Sequence, residues 1–393
     1  MAEELVLDVL LVIGLAGYVA YGLRNGLSRS LFTIAGIIGG VVAAFFLAPL
    51  VAGLLSEPVL RLIVTVALAV GLVATGQAIG ATIGRAIRRG IALGPLSGID
   101  RVFGGIVTGV VAALVASMVA FSVSQLGVPV LSRAIAGSNV LRIIAAVTPD
   151  PVEAFLAQVR GAVVDRGIPL VGTALGTRSP IPPVIDTGSA ELNAAAQSVV
   201  RITGNAYSCG QSQAGSGFVV SDDRVVTNAH VVAGVSEPVV ETSGGQALPG
   251  SVVYFDPVVD LAIIAVPGLD PVPLPRTDTL AATQTAAFQG FPYGGPFSSG
   301  AAQVLSIEVA PVADIYDSVR TPREVYTLAA DVRAGNSGGP LLDLTGRVAG
   351  IIFARSADTT NLGYAMTMTE LGPVVDRSAA LDSPVSSGEC IRN

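Results

Sequence analysis

The sequence predicts a chain of two unlike parts: a helical membrane domain of four transmembrane spans, then an all-β domain. Three observations predict it. Of 393 residues, 51% are apolar and 13% charged, with a mean hydropathy of +0.68, too apolar for a soluble globule. Charge is unevenly spread, since residues 1–130 hold 7 of the 22 basic residues and 5 of the 29 acids, leaving the acidic excess to the remainder. Beyond about residue 189, long apolar runs give way to short β-branched runs punctuated by Gly, Pro, Asp and Asn.

Composition also excludes whole classes of function. Every basic residue is arginine, the net charge is −7 and the pI about 4.8, which exclude a nucleic-acid partner held by a basic surface. Two cysteines and one histidine cannot build a thiolate zinc site, an iron–sulfur cluster or a histidine-rich centre, so no metal or cofactor is expected.

Residues 1–128 form the membrane domain. Apolar stretches at 5–23, 31–54, 59–83 and 102–126 each approach the ~20 residues that a spanning helix needs. The first opens on Glu3 and Glu4 and lacks a basic leader or cleavage site, so it reads as a retained helix. Arg24 and Arg29 mark the first connection and Arg85, Arg88, Arg89 and Arg101 the third, whereas the second carries Glu57 and Arg61. The positive-inside rule puts the first and third connections in the cytoplasm, and both termini and all that follows residue 128 on the extracytoplasmic side of the cytoplasmic membrane. Gly76, Gly80 and Gly84, like Gly105 and Gly109, recur every four residues, the spacing of close helix packing within a bundle. Asp8, one turn into the first helix, reads as reaching interfacial water. The segments YGLRNGLSRSLFTIAG (21–36) and IDRVFGGIVTG (99–109) resemble the colicin V production (CvpA) family of four-helix membrane proteins over roughly 5–125.

Residues 129–188 connect the two parts. PVEAFLAQVRGAVVDR (151–166) places apolar groups at helical spacing behind Pro151, predicting one amphipathic helix. GTRSPIPPVIDTGS (176–189) reads as a stiff, extended linker, exposed to nicking.

Residues 189–393 form the β domain, whose strand-like runs include SVVRITG (198–204), LAIIAV (261–266) and RVAGIIFA (347–354). Three segments carry chemistry: DRVVTNAHVV (223–232) with His230, DPVVDLAIIAV (256–266) with Asp256 and Asp260, and RAGNSGGPLLD (333–343) with Ser337 among glycines. Serine attack on a carbonyl needs a base for the hydroxyl proton, a carboxylate to hold the imidazole, and N–H groups aimed at the oxyanion. The N–H groups of Gly335 and Ser337 suit the last task. Either aspartate can fill the acid role on residue type alone. Cys209 and Cys390 bracket nearly this whole domain, and in an oxidising compartment a bond between them closes a loop of about 180 residues, worth roughly 5 kcal/mol in the chain-entropy model.

GSGFVVSDDRVVTNAHVV (215–232), the DLAII strand, GFPYGG (290–295) and GNSGGP (335–340) resemble the chymotrypsin-like serine proteases, particularly their HtrA-like branch, over about 195–375. The resemblance implies two six-stranded β-barrels with the site in the cleft between them. It implies His230 as general base, Asp260 rather than Asp256 as its carboxylate, Ser337 as nucleophile, and Gly335 and Ser337 as the oxyanion hole. Asn336 stands where chymotrypsin-like enzymes carry an acid, as in HtrA-like members. By the same likeness Asp331 selects basic side chains or is a structural aspartate. NLGYAM (361–366) resembles the family strand that pairs with substrate backbone beside the first specificity pocket, which implies that Gly363, Tyr364 and Ala365 line that site. No PDZ domain is expected after the barrel.

The fusion of both halves resembles the actinobacterial MarP family of membrane-anchored periplasmic serine proteases. That likeness implies a serine endopeptidase (EC 3.4.21) acting on proteins of the cell envelope, a role in acid and oxidative stress resistance, a Cys209–Cys390 disulfide that supports the active form, and self-cleavage in the linker. The competing expectation is a catalytically silent peptide-binding or scaffold barrel on a CvpA-like export or sensing bundle.

Overall fold

A computed structural model of the chain describes residues 2–53, 58–91, 97–124, 131, 134–135, 137–149, 152, 169–171, 179–206 and 211–391. These divide into two compact units, Asp8–Ser117 on one hand and Met1–Leu7 with Met118–Asn393 on the other.

The first unit is helical: α1 (Ala2–Gly53), α2 (Pro58–Ile91) and α3 (Ser97–Ser124). Inside α1, Gly26 has φ 75° and ψ 165°, a conformation that glycine alone adopts cheaply. It breaks α1 into two helices within the predicted first connection. Leu5–Leu27, Val70–Ile87 and Gly98–Ala120 are long and apolar enough to cross a membrane. The predicted second span, 31–54, is represented by a shorter apolar helix, Arg29–Gly40; most side chains from 41 to 63 lie outside the described set. Four spans therefore become three candidate spans among the described residues, since the described part of the second falls short of membrane thickness.

The glycine rows act inside this unit. A Cβ at Gly36 would stand 2.1 Å from the carbonyl oxygen of Gly76, one at Gly80 2.0 Å from that of Phe32, and one at Gly22 2.3 Å from that of Gly104. Backbones so close leave no room for any side chain, as packing within the bundle requires.

Between the two parts, α4 (Asn139–Val147) is capped by Ser138, whose hydroxyl accepts from the N–H of Leu141 at 3.2 Å. The predicted amphipathic helix over 151–166 lies outside the described residues, apart from Val152. Residues 179–186 have no regular structure, and Ile185 packs onto the β core.

The β domain opens with β1 (Leu170–Val171) and α5 (Ala190–Ala196). Next come β2 (Val199–Ala206), β3 (Gln211–Ser221), β4 (Arg224–Thr227), α6 (Ala229–Val232), β5 (Val239–Glu241), β6 (Ala247–Pro249), β7 (Ser251–Asp256) and β8 (Leu261–Ala265). The second half holds β9 (Thr285–Gly290), β10 (Ser298–Ala313), β11 (Arg320–Ala329), β12 (Pro340–Leu342), β13 (Val348–Ser356), β14 (Leu362–Thr367) and α7 (Met368–Asp376). Two seven-stranded sheets result, ordered β6-β5-β2-β3-β4-β8-β7 and β1-β13-β12-β9-β10-β11-β14. In the second, β14 also pairs with β13, which closes six strands into a barrel with β1 added outside. The expected six-strand count thus holds for that ring, and the sheets themselves are one strand larger.

Alternation along the strands divides the apolar residues between cores. In β8, Ala262 and Ile264 face the first sheet's own core, while Leu261 and Ile263 join Phe218 and Val226 in a cluster shared with Leu342, Ile351, Phe353 and Met366 of the second sheet. The cleft between the sheets is therefore floored by packed side chains from both.

After α7 the chain returns to the first sheet. Arg224 pairs with Asp382 at 2.5 Å, Val385 N–H donates to Val252 at 2.8 Å, and the Ser387 hydroxyl donates to Val235 at 2.7 Å.

Replacing Gly76 with leucine drives a side chain into the Gly36 backbone and is expected to cost about 1–3 kcal/mol or to separate the helices. Thermal unfolding of the detergent-solubilised chain, compared with Gly14→Leu, where nothing lies within 4 Å of the added Cβ, checks this.

Candidate active site

His230 sits in α6, which continues from β4 through Asn228, and is buried at 4% exposure. Asp260 immediately precedes β8, which pairs with β4 from Arg224–Ala265 to Thr227–Ala262, so the residues that follow β4 and precede β8 come side by side. Its carboxylate accepts from the backbone N–H of His230 at 2.9 Å and lies 2.8 and 3.0 Å from Nδ1. The side-chain amide of Asn228 donates to the carbonyl of Asp260 at 2.9 Å. Asp260 has φ 63°, the left-handed region, so this alignment is held against a backbone preference.

Asp256, the other acid of that segment, is occupied elsewhere. Its carboxylate accepts from the N–H groups of Val258 and Val259 at 2.9 and 3.0 Å and from the Tyr254 hydroxyl at 3.1 Å, an Asx turn that shapes the approach to β8.

Ser337 lies in the turn before β12, in the second sheet. Ser216 of β3 joins the two halves: its N–H donates to the carbonyl of Ser337 at 2.8 Å, its hydroxyl donates to that of Gly335 at 2.7 Å, and the same hydroxyl accepts from the N–H of Phe291 at 2.9 Å. A Cβ on the neighbouring Gly215 would stand 3.2 Å from the Ser337 carbonyl and 2.6 Å from the side chain of Val231, which follows His230. The serine turn and the histidine helix thus meet across β3. Ser337 Oγ and His230 Nε2 are both buried, and neither has a hydrogen-bond partner among the described residues. Such contacts commonly tighten only when substrate binds.

The turn also aims its N–H groups. Tyr293 N–H holds the carbonyl of Ala334 at 2.5 Å, and Gly339 N–H holds that of Asn336 at 2.9 Å. A trans peptide points its N–H opposite to its carbonyl, so the N–H groups of Gly335 and Ser337 face away from those partners. Neither donates a hydrogen bond among the described residues. Gly335 needs to be glycine: its φ is +90°, and a Cβ would meet the Phe291 carbonyl at 2.4 Å.

Of the residues assigned to substrate, Asp331 lines a cavity of about 220 Å³ with Pro182, Phe288, Pro292, Arg333 and Asn336. Its carboxylate is engaged by Arg333, through Nε at 3.1 Å and Nη2 at 2.6 Å. Gly363, Tyr364 and Ala365 lie in β14, and each has ladder neighbours in both β11 and β13. A strand flanked on both sides has no edge to offer, so the expectation that this strand pairs with substrate backbone is corrected. The edge lies on β13. Its Ile352 exchanges bonds with Gly338 and Gly339 of the serine turn, and beyond it β12 has ended. The joining role of Ser216 was likewise missed, although it stands in the quoted GSGF motif. Cys209 lies outside the described residues.

A two-sheet β domain with a buried His–Asp pair and a glycine-rich serine turn that meet across β3 defines a serine peptidase of the trypsin-like class. A family model described as trypsin-like peptidase domain matches residues 215–351, and one described as Colicin V production protein matches residues 7–149. Serine protease Rv3671c of Mycobacterium tuberculosis (strain ATCC 25618 / H37Rv) is 36% identical over 270 residues, 67% of this chain and 67% of that protein. The crystal structure of Rv3671c protease from M. tuberculosis in its active form matches with a TM-score of 0.51 at 35% identity, over 56% of this chain and 100% of that one. A probable periplasmic serine endoprotease, DegP-like, from Halomonas elongata is 35% identical over 185 residues, 44% of this chain and 36% of that protein. The chain belongs to the family of Serine protease Rv3671c, and is a membrane-associated serine endopeptidase.

Asp260→Asn is expected to lower kcat by roughly 10⁴-fold by turning the imidazole to the wrong tautomer. Asp256→Asn loosens only a turn and is expected to retain most of the activity. Peptide hydrolysis by both variants of the full chain, normalised to folded protein, checks the assignment.

Proposed function

We propose that the chain hydrolyses cell-envelope proteins from the extracytoplasmic side of the cytoplasmic membrane, with Ser337, His230 and Asp260 as its triad. The observation that carries this is a set of unengaged groups on two segments that meet across β3: His230 Nε2, backed by Asp260 on Nδ1, and in the serine turn Ser337 Oγ with the N–H groups of Gly335 and Ser337. Nε2 takes the hydroxyl proton as Oγ bonds to the substrate carbonyl carbon. The two N–H groups stabilise the resulting oxyanion. His230 then returns the proton to the leaving amine, and water hydrolyses the acyl-enzyme by the same route.

Substrate backbone adds to β13 beyond Ile352. Connector residues already lie there, since β1 pairs with Arg355 and Ser356 and the carbonyl of Pro169 accepts from Arg355 N–H at 3.2 Å. That proximity supports self-cleavage in the linker. The arginine asymmetry of the helix connections supports the orientation. Pairing of Cys390 with Cys209 is supported by the cysteine count and by the absence of free cysteine among the described residues. We assign the domains as 1–128 membrane, 129–188 connector and 189–393 protease, and the physiological role as acid and oxidative stress resistance.

The test is cleavage of casein by the detergent-solubilised chain and its Ser337→Ala variant, with mass spectrometry of the products. Cleavage by the first alone is expected, and the cut sites should show no preference for Arg or Lys, because Arg333 already neutralises Asp331. Cleavage by neither folded protein favours the silent barrel. Activity is expected to fall on acidification, because a protonated His230 cannot accept the serine proton; a rate rising toward acid would contradict this role.

A further inference from the structure

Arg323 belongs to β11, in the sheet that carries Ser337, yet its guanidinium ends beside the acid of the other sheet. The residue is 2% exposed. Nη1 donates to the carbonyl of Val259 at 2.7 Å and Nη2 to that of Ala313 at 2.5 Å, and the guanidinium carbon stands 5.9 Å from the centre of the Phe353 ring.

Val259 precedes Asp260, and the peptide joining them leads into the left-handed Asp260 backbone. The N–H of that peptide is held within the first sheet by the carbonyl of Asp256 at 2.9 Å. Its carbonyl is held by Arg323 from the second sheet. Rotation of this one peptide would swing the Asp260 carboxylate off His230, so the two bonds together fix the direction from which the imidazole is supported.

The electrostatics act in the same sense. Burial pushes the Arg323 pKa below its ordinary value, and four carboxylates oppose this: Asp260 first, then Glu370, Asp256 and Asp314. The guanidinium that holds the Val259 carbonyl is therefore also attracted to the Asp260 carboxylate, which faces the imidazolium during the reaction. Lysine cannot substitute fully, because one ammonium does not reproduce a planar fork that reaches two carbonyls at once.

We propose that Arg323 is a positioning residue for catalysis, tying the Val259–Asp260 peptide, and through it the orientation of His230, to the sheet that carries Ser337. This rests on the triad reading above.

The test uses the full chain in detergent micelles, with Arg323→Met and Arg323→Lys variants. kcat and KM are measured on a peptide substrate, active sites are counted by fluorophosphonate titration, and thermal unfolding is followed separately. In the Met variant, kcat per titrated site is expected to fall about ten- to a hundredfold, the effect of losing a charged, buried hydrogen bond, with KM little changed. The Lys variant should recover part of the loss. A kcat per titrated site equal to wild type, with only the melting temperature lowered, would show a purely structural arginine and overturn the proposal. If the Met variant does not fold, the Lys variant decides on the same criterion. Absence of cleavage by wild type overturns the triad reading and this inference together, whereas active wild type with unimpaired variants overturns only the positioning role.

Discussion

Asp260 accepts hydrogen bonds from both the backbone and the ring of a single residue, His230, and this constrains everything built around the pair. The carboxylate can satisfy both donors only if the histidine helix starts directly beside the residue that precedes β8. That requires β4 and β8 to be neighbours and Asp260 to take a left-handed backbone. The resulting peptide geometry is disfavoured, so it persists only where other groups over-determine it. Asn228, Asp256 and Arg323 supply those contacts, each from a different segment.

The serine turn obeys a different logic, in which backbone bonds set the direction of its N–H groups. Ala334 and Asn336 have their carbonyls taken by Tyr293 and Gly339, and the direction of two N–H groups follows without any side chain taking part. Ser216 then fixes this turn to the first sheet at two points. The shared apolar cluster below the cleft makes the coupling rigid, because packed interiors repack in discrete steps and do not deform smoothly. Rigidity of this kind is what an oxyanion site needs, since its donors must be in place before charge develops.

How far each part could be read from residues alone depended on whether the signal was local. His230, Asp260 and Ser337 stand in short motifs whose spacing survives in sequence. The split into apolar helices and β-branched runs follows from composition and period. Long-range pairing was not legible. Nothing in NLGYAM distinguishes a strand with two neighbours from one with a free edge, and only the ladder shows that β14 is interior. The bond from Arg323 to Val259 spans 64 positions and leaves no pattern in either segment. The partner of Asp331 was two residues away, yet Arg333 reads as an ordinary charge until its geometry is known. The break in α1 falls in the gap between the apolar stretches 5–23 and 31–54, but the sequence does not show that the helix runs on to both sides of it with a single glycine, Gly26, doing the turning.

The strap formed by residues 382–387 has a consequence for the order in which the chain becomes a peptidase. Gly234 and Val235, just past the histidine helix, are bonded to Ser387, and Val252 to Val385. Those donors and acceptors are synthesised after both sheets. Until the ribosome has made them, the first sheet lacks the contacts that finish the segment following His230, although His230, Asp260 and Ser337 have all been synthesised. The contacts that finish the segment after His230, near the start of the β domain, are therefore made last, once the serine turn of the second sheet is already part of the chain.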